Sequence, residues 1–420
     1  MQQIPFIIRA KSPLAIGRQK RDSSISEVEI YIPGTVLRGA IAGQMIRQAQ
    51  AAGQDFANDP DSDFKCLFID NQAIFQNAYP ALTEDLQLHP EVRVMPVTAL
   101  SAKNKSGFKS KGKSGVFDTL IDRFCAEAYG QIYDPNDPTD GDRVDGFKGF
   151  YSVVKSSDQD QYFSHAASSR LLTKVGINRR RATSEDKVLY SLQVLNETKQ
   201  KGDRVEEMAF AGSIWVDNIL AEPFRNYLEQ QGRSIRIGGG ISRGLGKIEI
   251  QLMSSEAESS KSTVYQRIDD FNKKLKQRWD RWKFFGSPLQ NLLDDRCFFT
   301  LDLQSDAILT ESWLRTMVIS EAMLQQAVNL TTGNLQLHAS YSSYGYRAGW
   351  NTAWGLHKDM QLTTDRGSVF LFSVDESDRL VWQAALADLE IRGIGHLTAE
   401  GFGQIKVCDE FHNVLREEAV

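Results

Sequence analysis

The residues best suited to bind a ligand lie in two glycine-rich segments, one in each half of the chain. Residues 235–250 read IRIGGGISRGLGKIEI, and residues 391–407 read IRGIGHLTAEGFGQIKV. Glycine adopts positive φ and leaves no side chain between the backbone and a ligand. Together with Arg, Ser, His and Thr, such glycines predict loops that can wrap a phosphate backbone.

The position of these loops excludes two common phosphate sites. Each loop follows a helix-like segment and leads into an alternating strand, Lys247 onward in the first case and Gln404 onward in the second. A dinucleotide-binding loop follows a strand and opens a helix, and a P-loop ends in Gly-Lys-Ser or Gly-Lys-Thr. The same order disfavours an ordinary phosphate-binding metabolic enzyme. One such loop is also typical of a plain tight turn, but its recurrence favours an internal repeat.

Composition indicates an ordinary globular protein. The chain has 420 residues, of which 41% are hydrophobic and 25% are charged, and this length predicts two or three domains. The sequence has no apolar run long enough for a transmembrane helix and no signal-peptide layout at its start. Four widely spaced cysteines form no CxxC pair, which favours a reducing, cytoplasmic location. Membrane association is not expected.

Charge is segregated along the chain. The net charge of −5 alone disfavours nucleic acid, yet residues 102–117 and residues 170–181 each carry five basic residues and no acidic ones. Residues 233–247 carry four basic residues and no acidic ones. Such runs are usually solvated loops, but together they can build one basic groove on an acidic body.

The elements that position these residues follow the same order in both halves. An opening strand at 4–17 precedes a basic loop, and a helix with Thr35 as its N-cap is predicted after Pro33-Gly34. Arg38 is placed in the first turn of that helix, where the dipole disfavours a cation unless a phosphate binds. Pro223 is placed in the first turn of a later short helix.

The second half repeats this order. We expect a linker at 253–263, an apolar helical stripe from Val264 to Trp282, a strand at 297–303, and helices at 313–328 and 380–389. The fold prediction is therefore α+β, with two ferredoxin-like βαββαβ domains at 1–252 and 264–420. Residues 84–170 are predicted to be a long insertion in the first domain.

Several motifs resemble those of a known family. The paired glycine loops, the Ile-Pro-Gly-x-x-Leu-Arg-Gly element at 32–39 and Ile-Asn-Arg at 177–179 resemble the RAMP superfamily of CRISPR-associated proteins. The segments GVFDTLI at 115–121, GWNTAWG at 349–355 and EGFG at 400–403 are similar to the type III-D subunit that caps the 5′ handle of the guide RNA. The resemblance spans nearly the whole chain.

The resemblance implies a guide-RNA-binding subunit with two ferredoxin-like domains. Its implied partners are CRISPR guide RNA, other RAMP subunits and a large signalling subunit, with target RNA reached indirectly. The predicted RNA contacts combine the family elements with the basic loop and the second glycine loop. They are Arg18, Lys20, Arg21, Arg38, Asn178, Arg179, Arg180, Gly238, Gly239, Gly240, Arg243, Gly244, Arg392 and His396.

Neither a metal nor a cofactor is expected. Relatives often carry a cysteine-rich zinc knuckle in the insertion, whereas this chain has Asp137 and Asp140 at CxxC-like spacing. Structural zinc sites use Cys and His ligands, so we expect a degenerate, metal-free knuckle. These aspartates are also typical of a solvated acidic loop.

Catalysis is not expected, and an RNA-cutting RAMP endoribonuclease is the alternative. None of the six histidines lies in the region of the first helix, where a processing enzyme would need a general base. Asp22 resembles the target-cleaving aspartate of backbone-type RAMPs, and it is the single catalytic candidate. A lone aspartate among Arg18, Lys20 and Arg21 is more typical of a charge partner.

Overall fold

The chain builds two antiparallel sheets, one in each half. The computed structural model describes residues 1–18, 27–53, 62–156, 160–178, 183–254, 260–351 and 355–420. The first sheet contains β1 (Gln2–Ala10), β2 (Ala73–Phe75), β3 (Tyr79–Pro80), β4 (Ala209–Val216) and β5 (Ile248–Leu252). The second contains β6 (Arg296–Leu303), β7 (Gln336–Tyr341), β8 (Val369–Asp375) and β9 (Ile405–Val407).

Seven α-helices accompany these sheets in the described part of the chain. They are α1 (Gly34–Ala52), α2 (Asp63–Phe68), α3 (Leu120–Ala128), α4 (Asn218–Gln231), α5 (Ser260–Trp282), α6 (Glu321–Val328) and α7 (Arg379–Arg392). The remaining helical segments are short 3₁₀ turns at Ile241–Arg243, Lys283–Phe285, Glu376–Asp378, Thr398–Glu400, Glu410–Asn413 and Arg416–Glu418. No helix among the described residues is both long and apolar enough to cross a membrane. The mixture of helix and sheet confirms the α+β prediction.

The two sheets have the same connectivity. The strand order is β5-β1-β4-β2 in the first, with β3 also pairing β4, and β7-β8-β6-β9 in the second. In both cases a helix follows the first strand, two more strands follow, and a second helix precedes the last strand. Neighbouring strands run antiparallel in both sheets, for example with Ile4 opposite Ile214 and Leu301 opposite Val407.

Further strands form hairpins and small sheets around this frame. The paired ranges are Gly17–Arg18 with Glu27–Val28, Ser169–Asn178 with Thr183–Leu195, Thr198–Lys201 with Arg204–Glu207, Leu309–Glu311 with Leu314–Thr316, Tyr344–Arg347 with Gln361–Thr364, and Trp350–Asn351 with Leu356–His357. Two three-stranded sheets lie in the predicted insertion. They comprise Arg93–Val94, Phe150–Val154 and Gln161–His165, and Ala99–Ala102, Val116–Asp118 and Val144–Gly146.

Strand alternation places the first core. Ile4, Phe6 and Ile8 are at most 1% exposed and share one face of β1, which α1 and α4 cover. Phe75 of β2 meets Phe224 of α4 edge to face, with ring centroids 6.2 Å apart. The first half therefore buries a core of its own under two helices.

The predicted insertion packs on the second half of the chain. Leu120, Ile121 and Phe124 of α3 lie in one apolar cluster with α5 and the second sheet. The Phe124 ring lies 5.4 Å from that of Phe298 in β6. The insertion thus supplies a layer of the second core.

β9 pairs only with residues 301–303 of β6, which leaves the rest of that edge without a strand neighbour. Helix α5 protects this free edge. The Phe298 N–H donates to Asn272 Oδ1 at 2.8 Å, and Asn272 Nδ2 donates to the Phe298 carbonyl at 2.7 Å. One side chain thereby replaces a missing strand neighbour and blocks edge-to-edge pairing.

Three local predictions were wrong. The helix predicted at 313–328 begins at Glu321 behind the Ser320 side-chain cap, because Ser312 and Trp313 both take positive φ in a two-residue hairpin turn. The N-cap of α1 is Pro33, not Thr35. Pro223 lies inside α4, which begins at Asn218 behind the Asp217 side-chain cap. Residues 255–259 of the predicted linker lie outside the described residues.

Candidate nucleic-acid interface

The first glycine loop is a short 3₁₀ turn between two left-handed glycines. Gly240, with φ of 71°, precedes Ile241–Arg243, and Gly244, with φ of 83°, follows it. A side chain at Gly238 would come within 2.5 Å of the Ala15 carbonyl. At Gly239, by contrast, φ is not positive and the nearest atom would be 3.7 Å away. Gly239 is exposed, so its missing side chain is not required by the protein's own packing.

The two glycine loops share one backbone hydrogen-bond pattern. In the first, Ile237 N–H donates to Gly246 O at 3.0 Å, and Arg243 N–H donates to Gly240 O at 2.8 Å. In the second, Ile394 N–H donates to Gly403 O at 2.8 Å, and Glu400 N–H donates to Leu397 O at 2.9 Å. Each loop is also tied to the segment after the first strand of its sheet. Gly239 N–H donates to Ala15 O and His396 N–H donates to Ile308 O.

This correspondence shows where the loops differ. Leu397 takes the left-handed conformation that Gly240 takes in the first loop, with φ of 57°. Glu400 stands where the first loop has Arg243, and His396 stands where it has Gly239. The predicted internal repeat is therefore present in the backbone, while the charge at its centre is reversed.

Arg243 in the first loop is exposed and held by an aromatic side chain. Its Nη1 donates to the Tyr190 hydroxyl at 2.6 Å, and its guanidinium carbon lies 5.7 Å from the Tyr190 ring centroid. In the part of the chain that the structure describes, Arg243 has no carboxylate partner. An oriented guanidinium beside a 37% exposed tyrosine ring can offer two contacts to a nucleotide, one to phosphate and one to a base.

Two hairpins flank this loop. The hairpin of Ser169–Asn178 and Thr183–Leu195 is bound to the segment that follows β1, the same segment that holds the glycine loop. There the Leu14 N–H donates to Leu195 O at 3.2 Å. The basic hairpin of Gly17–Arg18 and Glu27–Val28 meets it where Val28 N–H donates to Gln193 Oε1 at 3.1 Å. The structure therefore brings the first glycine loop, the Ile-Asn-Arg hairpin and the start of the basic loop together.

Several predicted contacts lie at the ends of the described segments or outside them. Asn178 ends its strand opposite Thr183, and Arg18 ends its strand opposite Glu27. Lys20, Arg21, Arg179, Arg180 and the catalytic candidate Asp22 lie outside the described residues.

The second glycine loop packs against the N-terminus of α1. A side chain at Gly34 would meet the Phe75 carbonyl and the Glu400 carbonyl, and one at Gly401 would meet Gly34 itself. The Thr35 hydroxyl donates to Glu400 Oε2 at 3.0 Å, and Lys358 Nζ pairs with the same oxygen at 3.0 Å. This loop therefore helps to join the two halves.

Arg38 belongs to this junction. It lies in the second turn of α1 and is only 21% exposed at its side chain. Its guanidinium donates to the Phe68 carbonyl and to Asn71 Oδ1, and lies 3.8 Å from Glu400 Oε1. The conflict between this cation and the helix dipole is thus relieved inside the protein by a carboxylate.

A buried ion network extends the junction. Arg347 pairs with Glu29 from the first half and Asp306 from the second, and both carboxylates are almost fully buried. Arg366 stacks over the Tyr31 ring at 4.6 Å. Burial, reinforced by Asp306, raises the pKa of Tyr31 far above its usual range. The Tyr31 hydroxyl is therefore neutral at physiological pH.

The other predicted contacts on the second half stand apart from this packing. Arg392 is the last residue of α7 and is exposed, as is His396 in the second loop. Both side chains are accessible to a ligand.

The aspartate loop of the insertion stabilises its own turn. Asp137 is 1% exposed, and its Oδ2 accepts from Thr139 N–H at 3.1 Å and from Asp140 N–H at 3.0 Å. Asp140 forms an ion pair with Lys105. Among the described residues, no group of three His, Cys, Asp or Glu side chains is arranged to hold a metal.

Sequence reasoning missed Tyr190 and the role of Glu400. Tyr190 stands in a strand whose two faces both carry apolar residues, so its exposure could not be read from alternation. Glu400 could have been found by aligning the two loops, because Gly238, Gly244 and Gly246 then match Gly395, Gly401 and Gly403, and Arg243 falls on Glu400.

Comparison with known proteins identifies the family. Residues 7–249 match the model of the RAMP superfamily. This span is more than half of the chain, and the chain belongs to the RAMP superfamily. No curated protein sequence matches it significantly.

Among solved structures, the chain is similar to one in a cryo-EM structure of Type III-B Cmr-beta bound to cognate target RNA and AMPPnP. The identity is 11%, the coverage is 91% of this chain and 93% of that chain, and the TM-score is 0.38. A second Cmr-beta chain, from a structure with cognate target RNA, has 10% identity, coverage of 92% and 94%, and a TM-score of 0.35. A Cas6 product complex has 10% identity, coverage of 50% and 82%, and a TM-score of 0.30.

Proposed function

We propose that this chain is a non-catalytic guide-RNA-binding subunit of a type III, III-D-like CRISPR effector complex. In this proposal it holds the 5′ handle of the guide in antiviral defence in the cytoplasm. Other RAMP subunits and the large signalling subunit are its protein partners, and target RNA meets it only through the guide. Membership of the RAMP superfamily and the motifs shared with III-D subunits support this assignment.

The proposal includes two ferredoxin-like domains, at 1–252 and 264–420, joined by a linker at 253–263 whose last four residues begin α5. The shared strand orders β5-β1-β4-β2 and β7-β8-β6-β9 support it, since both correspond to a βαββαβ unit with strand order 4-1-3-2. The packing of α3 in the second core adds that this helix of the insertion, residues 120–128, covers the second sheet.

The observation that carries the RNA assignment is the first glycine loop. Gly239 and Gly244 are exposed, and added side chains there would meet no protein atom closer than 3.7 Å. Arg243 lies between them, held by Tyr190 and without a carboxylate partner in the described chain. A bare backbone beside an oriented guanidinium is suited to an RNA phosphate, and the tyrosine ring to an unpaired base.

The test is a Gly239→Val variant of the full chain, titrated with labelled repeat-derived RNA. Because an added Cβ at Gly239 would lie no closer than 3.7 Å to a protein atom and φ is not positive, we expect an unchanged thermal midpoint. Because the valine would block the approach of the phosphate backbone, we expect RNA affinity to fall about tenfold or more, as for the removal of one charge-assisted hydrogen bond.

Two further variants sharpen this test. Gly146→Val is a matched control, since Gly146 is exposed in a strand, has no positive φ and has no atom within 4 Å of an added side chain. It should change neither stability nor affinity. Gly238→Val should lower the thermal midpoint, because φ is 76° and the Ala15 carbonyl is in the way. Normal RNA binding by folded Gly239→Val protein would refute the assignment.

The same titration tests the endoribonuclease alternative. RNA recovered after incubation should remain full length on a denaturing gel. Cleavage that disappears in an Asp22→Asn variant would establish a nuclease instead.

A further inference from the structure

The second half of the chain has a hairpin in the place that the Ile-Asn-Arg hairpin takes in the first half. Leu14 and Leu195 exchange backbone hydrogen bonds of 3.2 and 2.9 Å. Ala307 and Thr364 exchange an equivalent pair, both of 2.9 Å. Leu14 and Ala307 each lie four residues beyond the first strand of their sheet. The hairpin of Tyr344–Arg347 and Gln361–Thr364 therefore corresponds to that of Ser169–Asn178 and Thr183–Leu195.

This second hairpin exposes aromatic rings. Tyr344 and Tyr346 lie on the same face of their strand and are 57% and 58% exposed. Their ring centroids are 6.2 Å apart at an interplanar angle of 88°. The adjoining hairpin of Leu309–Glu311 and Leu314–Thr316 carries Trp313 at its turn, 99% exposed. We call Trp313, Tyr344 and Tyr346 the aromatic strip.

The two hairpins that carry the strip are in contact. The Arg315 guanidinium donates to Gln361, which is paired in register with Arg347 beside Tyr346. They flank the second glycine loop, to which Ile308 is bound through His396 N–H. This arrangement repeats that of the first half, where two hairpins flank the first glycine loop.

The charges differ from those of the first half. Where the first half joins Arg243 to Tyr190, the second joins Glu400 to Lys358. Lys358 is thus neutralised, and Arg315 is an exposed cation with no carboxylate partner in the described chain. A ligand here would be held mainly by stacking on rings and only weakly through phosphates.

We propose that the aromatic strip is a second site for single-stranded RNA, which stacks unpaired bases. This inference rests on the proposed function, because it is the correspondence with the first half that favours RNA over a protein partner. The strip would hold bases of the guide strand that extend beyond the first glycine loop.

The experiment compares full-length wild type with a Tyr344→Ala/Tyr346→Ala variant, titrated with labelled single-stranded repeat RNA over a series of salt concentrations. We expect the affinity of the variant to be about tenfold lower, the range measured for stacked bases. Stacking releases no counterions, so the slope of log Kd against log salt should be unchanged. Tyr344→Phe/Tyr346→Phe should bind like wild type, because phenylalanine keeps the ring.

Phe284→Ala provides the matched control, since Phe284 is 89% exposed at the C-terminal end of α5 and should not affect binding. Ultraviolet cross-linking to RNA should label the peptide containing Tyr344 and Tyr346 in wild-type protein. If the double alanine variant binds RNA normally while Arg243→Ala binds weakly, the strip is not an RNA site and a protein partner becomes its explanation. If wild type does not bind RNA, the proposed function itself fails.

Discussion

Arg243 and Glu400 occupy the same place in two loops of the same backbone conformation, and their opposite charges separate the uses of those loops. Arg243 remains exposed beside Tyr190. Glu400 is 17% exposed at its side chain and contacts Thr35, Arg38 and Lys358. A duplicated backbone has thus produced one accessible loop and one that joins the halves of the protein.

The structure changes the expectation for Arg38, which the sequence predicts to be an RNA contact. Arg38→Glu would place a second carboxylate near Glu400 and remove the donor to the Phe68 carbonyl. We expect the free energy of unfolding to fall by about 1–3 kcal/mol, the cost of leaving such buried groups unpaired. Thermal and urea denaturation would measure this decrease.

Arg47→Glu is the control for this variant. Arg47 lies on the same helix, is exposed and, in the described chain, is hydrogen-bonded to Gln44 without an ion pair, so its reversal should change stability by less than about 0.5 kcal/mol. An Arg38→Glu protein as stable as wild type but weaker in RNA binding would contradict the structural role. It would instead support the phosphate contact that the sequence predicts.

Among the elements, α5 contributes more than apolar packing. Asn272→Ala should leave the N–H and carbonyl of Phe298 without partners at the edge of β6. We expect a decrease of about 1–3 kcal/mol in the free energy of unfolding, measured by urea denaturation. Asn291→Ala, in an exposed loop, is the matched control and should have little effect. Equal stabilities would mean that water replaces the amide at this edge.

The basic segments predict a salt-dependent affinity for RNA. Residues 18–21, 103–113 and 179–181 should release counterions on binding, so log Kd should rise linearly with log salt. Within 103–113, Lys105 and Lys113 already pair with Asp140 and Glu84. Lys103, Lys109 and Lys111 are exposed, so the counterion release expected from this segment depends on these three lysines.

Lys109→Gln/Lys111→Gln should therefore reduce the salt slope by about 0.7 for each RNA phosphate that the variant no longer neutralises. Lys105→Gln should reduce it less, because Asp140 already neutralises that lysine. A slope that is flat in wild type would instead assign these segments to a protein partner.

The elements themselves were largely predictable from hydrophobic periodicity and from the positions of glycine and proline. The alternation in β1, the stripe of α5 and the glycine spacing of both loops were each visible in the sequence. Trp313 was misassigned because apolar spacing at 313–328 is helical in pattern, whereas the left-handed turn at Ser312-Trp313 is set by hairpin pairing. The partners of Arg38 were not predictable, since Glu400 is more than 360 residues away in the chain.

For the molecule as a whole, the insertion is held to the second half by a buried histidine. His412 Nε2 lies 2.7 Å from Asp302 Oδ1 of β6, and Nδ1 lies 3.1 Å from Asp118 Oδ1 of the insertion. All three side chains are almost completely buried. Burial by itself lowers the pKa of His412, but Asp302 and Asp118 outweigh it and raise the pKa well above its usual range.

This triad predicts a fall in stability on the alkaline side of neutrality. Because the folded-state pKa of His412 is the higher one, its contribution is complete below about pH 6.5, the ordinary histidine pKa. It is lost as the pH rises through the folded-state pKa. Urea denaturation of wild type at increasing pH should show a falling free energy of unfolding.

In His412→Asn this decline should be smaller, because asparagine carries no proton to lose. Burial lowers the pKa of His165 and of His338 to about 4, so those residues titrate on the acidic side and do not interfere. Parallel pH profiles of wild type and variant above neutrality would contradict a charged His412.

The packing of α3 in the second core also has a consequence during synthesis. Leu120, Ile121 and Phe124 emerge from the ribosome almost 300 residues before Leu415, the last residue of their apolar cluster. At about 5–20 residues per second, this apolar helix waits roughly 15–60 s for the last of its partners. During that time the nascent chain offers chaperones a hydrophobic segment that no early-folding domain can cover.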